Sequence, residues 1–132
     1  MINNILCIVC KDIVEDSKTR MVSYLNCIEQ VAVKKFPAHL PELTLGTTWL
    51  KDSDIVETLK VRVKLFFPDG EEKILLETPD NEVKGLRHRV NCVVVGFPLK
   101  QAGMYRLVVE KFNKETWEFA CVVSFLAVKS DK

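Results

Sequence analysis

Hydrophobic and basic residues alternate strictly over Leu59-Lys60-Val61-Arg62-Val63-Lys64-Leu65, the pattern of a strand with one buried and one wet face. The run ends at Phe67-Pro68-Asp69-Gly70. Pro presets a turn φ angle and Gly accepts a positive one, so the chain is expected to reverse into Lys73-Ile74-Leu75-Leu76 as a hairpin. A second hairpin is predicted from Met104-Tyr105-Arg106-Leu107-Val108-Val109-Glu110, through Phe112-Asn113-Lys114-Glu115, into a strand over 116–128. In that last strand Trp117, Phe119, Cys121, Val123 and Phe125 share one face, which makes Trp117 and Phe119 the expected core anchors.

Two more strands are read at 43–50, which is Thr-rich and bounded by Pro41, and at 89–95, which is β-branched and bounded by Pro98. The segment 21–28 suits either a strand or one face of a short helix. Its neighbours favour a strand, paired as a hairpin with 5–9 across the turn residues Glu15-Asp16-Ser17-Lys18. About eight short strands separated by turns predict an all-β fold, an antiparallel two-sheet sandwich that is immunoglobulin-like in general architecture. With 132 residues and no linker-like stretch, residues 1–132 are expected to form a single domain.

Several fragments, in their order and spacing, resemble a family of small, uncharacterised bacterial β-sandwich proteins. They are Cys10-Lys11-Asp12 closing an N-terminal strand, Phe36-Pro37-Ala38-His39-Leu40-Pro41, Pro68-Asp69-Gly70 and Gly103-Met104-Tyr105. The Phe-Pro-x-x-Leu-Pro segment is the most distinctive of them, and the resemblance implies a fold over nearly the whole chain and no activity. Gly103-Met104-Tyr105 also looks like the start of a tyrosine corner, in which the phenol bonds back to nearby backbone. The companion Cys-Trp-Cys pattern of immunoglobulin domains is absent, with Leu107 where the second Cys would stand.

Composition narrows the function classes. Hydrophobic residues at 48% and charged residues at 28% supply a core and exclude overall disorder. A formal charge of +1 is too weak a field for strong phosphate-backbone binding, so nucleic acid is not an expected partner. The apolar run Ile5-Leu6-Cys7-Ile8-Val9-Cys10 is short of a signal-peptide core. No run approaches the roughly 20 residues of a membrane span, so the expectation is a cytoplasmic protein without membrane contact. Five cysteines, an odd number set in apolar surroundings, are expected to stay reduced and metal-free.

Cys7-Ile8-Val9-Cys10 has metal-site spacing, but on a strand the two thiols point to opposite faces and no further ligands complete a set. His39, held between Pro37 and Pro41 in what reads as a rigid loop, and His88 are the only groups with an ordinary pKa near neutrality. Neither sits in a nucleophile or acid–base motif, and to catalyse they would have to meet a carboxylate or thiol in space. Asp52, Asp54 and Glu57 lack the glycine and terminal glutamate of a calcium loop, and five isolated glycines form no phosphate loop. No enzyme activity, catalytic residue, metal or cofactor is therefore expected.

The strands near the C-terminus are apolar on both faces, and a sheet of that kind needs its outer face covered. A homodimer or another protein partner is expected to cover it through Val93, Val95, Phe97, Val108 and Val122, unless the Phe36–Leu40 segment folds over it. This makes the chain a non-enzymatic interaction or structural module. The alternative is a small-ligand or anion-binding protein that uses Lys84, Arg87, His88 and Arg89, gathered with Gly85 in one basic loop.

Overall fold

The computed structural model describes residues 1–131, which contain strands and turns and no helix. The alternation at 59–65 becomes two strands with a break at Lys60: β5 (Glu57–Leu59) and β6 (Val61–Phe66). Leu59, Val61, Val63 and Leu65 are all fully buried. β6 turns into β7 (Glu72–Glu77) at Phe67-Pro68-Asp69-Gly70, where Gly70 N–H donates to Phe67 O over 3.0 Å and Glu71 N–H to Asp69 Oδ1 over 2.9 Å. The second hairpin is β10 (Gly103–Phe112) and β11 (Trp117–Lys129).

The segment that resembled either a helix or a strand is strand β2 (Val22–Cys27). It pairs with the far end of β1 (Ile2–Glu15), from Cys10↔Cys27 to Glu15↔Val22, and not with residues 5–9. Residues 2–10 of β1 pair instead with β4 (Ala38–Lys51), which in turn pairs with β9 (Arg87–Leu99). The remaining strands are β3 (Gln30–Val33) and β8 (Asn81–Val83).

The sheets run β2-β1-β4-β9, β3-β11-β10-β6-β7 and β5-β8. There are thus eleven strands in three sheets among the described residues, where about eight in two were expected. Every ladder is antiparallel except β3 with β11, which is parallel. Buried residues of the two larger sheets belong to one hydrophobic cluster. At its centre Phe97 of one sheet lies 6.2 Å from Tyr105 and 5.5 Å from Phe125 of the other. Tyr105 completes the expected corner: its hydroxyl donates to Gln101 O over 2.7 Å and accepts from Gln101 N–H over 3.1 Å.

The expected core anchors are misplaced. Trp117 is half-buried and Phe119 is 65% exposed. Val109 pairs with Cys121 and Glu110 with Phe119, so Ala120 is an extra residue on β11. A bulge of one residue reverses which face the odd positions take. Cys121, Val123, Phe125 and Ala127 pack on the core, whereas Phe119 and Trp117 turn outward. The buried indole is Trp49 on β4, whose Nε1–H donates to Thr47 Oγ1 over 2.8 Å.

Candidate interaction surface

The residues expected to form one apolar face lie on three different surfaces. On β9, Val90, Cys92 and Val94 face the core, which leaves Val93 and Val95 outward at 53% and 77% exposure. The alternation does not continue to Phe97. Gly96 has φ +68°, a left-handed conformation that L side chains resist. Beyond it Phe97 and Leu99 are fully buried. Phe97 is a core residue.

Val108 and Val122 pair with each other on the outer face of the other large sheet. They stand in a row with Lys64 and with Ile74, which is half exposed. Next to this row Arg62 donates from Nε and Nη2 to Glu110 Oε1, at 2.9 and 2.8 Å, and its guanidinium lies 4.3 Å from the Trp117 ring centroid. The face is therefore a mixture of apolar groups and paired charge. Nor does the Phe36–Leu40 segment form a covering loop, because Ala38, His39 and Leu40 are part of β4, paired with Leu99, Pro98 and Phe97.

β9 differs from the other edges in length. Four strands end the two larger sheets: β2 and β7 have six residues each, β3 has four, and β9 has thirteen. Among the described residues β9 forms a ladder only with β4, so its other side carries backbone groups without a strand partner. Its neighbour β4 is buried on both faces from Leu43 to Trp49. The outer side of β4 is closed locally at Gly46, where a Cβ would come within 2.7 Å of Ile13 Cδ1 and 3.2 Å of Tyr24 Cε1. That cover comes from β1 and β2 and stops short of Val93 and Val95.

The basic residues do not form one loop. Arg87, His88 and Arg89 belong to β9, with His88 paired to Trp49 and the two arginines on the opposite side. Arg89 lies 3.8 Å from Glu15. Lys84 contributes its carbonyl, which with those of Ile55 and Val83 accepts from the buried Lys51 ammonium at 3.2, 2.7 and 2.8 Å. This internal cation ties the β5–β8 region to the end of β4, and nothing in the sequence pattern distinguished Lys51 from a surface lysine.

His39 and His88 stand at opposite ends of the β4–β9 ladder. A groove of about 820 Å³ opens between β1, β2 and the start of β4, lined by Lys11, Asp12, Leu25, Ile28, Leu40 and Glu42 among others, with neither histidine at its wall. No group of three or more His, Cys, Asp or Glu side chains suited to a metal ion occurs among the described residues. No helix there is long and apolar enough to cross a membrane.

These features define an all-β protein with a shared core between two sheets and one long edge strand, β9, that is basic at its start and uncharged from Val90 onward. The chain belongs to DUF6941, described as a family of unknown function, whose model matches residues 5–124. No curated protein matches it. Among solved structures it is similar to a β-glucosidase from Listeria innocua in complex with isofagomine, with TM-score 0.52, 11% identity and 76% of this chain covered. A mutant of that enzyme in complex with laminaribiose gives TM-score 0.52 and 11% identity over 75% of this chain. The matched part is only 15% and 14% of those chains, and at such identity the likeness concerns the fold alone.

Proposed function

We propose that the protein is a non-enzymatic interaction module that associates with a second copy of itself along the open edge of β9. The observation that carries this reading is a thirteen-residue edge strand with Val93 and Val95 exposed on it. An exposed strand edge offers a row of unpaired N–H and C=O groups, and proteins ordinarily shorten, charge or cover such edges. The segment 90–95 carries no charge and no proline. A second β9 laid antiparallel across a two-fold axis pairs those groups and covers the valines with their own counterparts, since a two-fold contact needs only one self-complementary patch.

The architecture fits this role as an immunoglobulin-like sandwich of the two larger sheets, with β5–β8 as an accessory pair. The odd number of cysteines, with Cys10 and Cys92 buried, supports a reducing, cytoplasmic setting. Amide hydrogen exchange at two protein concentrations tests the proposal. Protection of the 90–95 amides should rise with concentration while that of β10 stays constant. Equal exchange in 90–95 at both concentrations, across a range where the protein dimerises, would place the contact elsewhere.

A further inference from the structure

The outer face of the five-stranded sheet carries an apolar strip with cations along one side only. On β11 the outward side chains include Phe119, Val122 and Leu126. Beside them on β10 stand Val108, paired with Val122, and Met104, paired with Leu126. Phe119, Val122 and Met104 are exposed. The sandwich uses only the inner face of this sheet for its core, so an exposed apolar strip on the outer face is free to receive a third layer.

The flank of the strip toward β6 is basic. Arg62 and Lys64 project outward from β6, opposite Glu110 and Val108, and Arg106 stands exposed on β10. Lys60 lies over the rings of Phe112 and Trp117, 5.5 and 5.8 Å from their centroids. Against these cations, Glu110 is the one carboxylate at the outward positions of β6, β10 and β11 among the described residues. It accepts from Arg62 over 2.8 Å and lies 3.6 Å from Lys64, so two cations share one negative charge. Neither Lys60 nor Arg106 has a carboxylate partner among the described residues. Glu72 and Glu77 lie farther out, on the edge strand β7 beyond the basic line. On the opposite side of the strip β3 presents Gln30 and Ala32, uncharged, paired with Leu126 and Val128.

We propose that this face docks an acidic amphipathic helix of a partner protein. The helix lies along β11 and β10 with its apolar side on the strip, and its Asp and Glu residues line the flank that meets Lys60, Lys64 and Arg106. The glutamates of β7 repel those acids and so confine the helix to β11 and β10. A surface of side chains offers no free strand edge, so the incoming segment must satisfy its own backbone, as a helix does. From Phe119 to Leu126 the strip runs about 20 Å, roughly thirteen residues of helix at about 1.5 Å each. That length accommodates apolar anchors at i, i+3, i+4 and i+7. An anionic bilayer would surround an inserted strip with negative charge, whereas only one side of this strip is basic. The face belongs to the other large sheet from β9, and the inference does not depend on that edge.

The test pans phage-displayed random peptides of about sixteen residues, one turn longer than the strip, against the intact protein. Binders to the double variant Phe119→Ser/Val122→Ser, altered at two exposed positions, are removed first. The enriched sequences are expected to carry apolar residues spaced three and four apart and an excess of Asp and Glu. A synthetic peptide of the enriched sequence should become helical on binding and bind more weakly as salt rises. Arg106→Glu should weaken it about tenfold, whereas Val95→Lys should bind it as the wild type does, which separates this face from the β9 edge. No enrichment, enriched sequences that are basic or bind in extended form, or an affinity that Arg106→Glu leaves unchanged overturns the proposal. So does either other occupant: binding to phosphatidylserine vesicles that Phe119→Ser/Val122→Ser abolishes, or a wild-type dimer that this double variant converts to monomer.

Discussion

Trp49 is fixed through both its apolar and its polar surface. It is 1% exposed, and its indole N–H reaches Thr47 Oγ1, whose own hydroxyl donates to Val90 O over 2.8 Å across to β9. Trp117 lies outside the core against Phe112, at 5.1 Å between ring centroids, and against Arg62. Replacing Trp49 by Ala is therefore expected to cost about 3–5 kcal/mol, from lost transfer energy and the cavity left behind. Trp117→Ala removes mainly a partly exposed aromatic contact and should cost roughly 1 kcal/mol. Denaturant melts of the two variants check this, and the reverse ranking would mean that the faces of β11 are wrongly assigned. The sequence favoured the other tryptophan because large aromatics on an alternating strand read as core. Thr47, Trp49 and Lys51 were harder to recognise as one buried face, since Thr47 bonds Val90 O and Lys51 bonds Val83 O and Lys84 O, backbone carbonyls distant in sequence.

The β6–β7 and β10–β11 hairpins were legible from local chemistry because both their turns and their alternation are local. Between β1 and β2 the turn at Asp16 was legible but the pairing of residues 5–9 was not: the Asp16 carboxylate accepts the backbone N–H groups of Thr19 over 2.8 Å and Lys18 over 2.9 Å. These bonds, that to Thr19 first, hold the Asp16 carboxyl below its ordinary pKa. A depressed folded pKa means that the turn's contribution is complete above the ordinary carboxylate range and is lost as pH falls through the lowered value. An NMR titration of the Thr19 and Lys18 amides should accordingly show a midpoint below that of an unperturbed aspartate, and a midpoint at or above it contradicts the turn geometry.

What alternation alone could not reveal is where it breaks. The extra residue at Ala120 and the left-handed Gly96 each reverse the faces of a strand, so Phe119 emerged and Phe97 went inside. A Cβ added at Gly96 meets nothing within 4 Å. Gly96→Ala is thus expected to cost about 1–2 kcal/mol through backbone strain only, read in the same melts. An unchanged midpoint would show that the face reversal does not depend on the glycine.

At the scale of the whole molecule, periodicity predicts strands and not their neighbours. That β3 runs parallel to the last strand, and that β1 divides its pairing between β2 and β4, depends on contacts far apart in sequence. For the same reason the apolar residues of the C-terminal strands looked like one surface, when Val95 and Val122 belong to different sheets. Val93 and Val95 are exposed on the edge strand β9, and the proposed self-association is assigned to that edge. The decisive measurement is sedimentation equilibrium of the wild-type protein and Val95→Lys at tens of micromolar, by order of magnitude the range in which weak pairs assemble. The wild-type protein is expected to be a dimer and the variant a folded monomer, because a lysine between two paired edges must be desolvated without a partner. A wild-type monomer, or a dimer that Val95→Lys leaves intact, would contradict self-association through β9.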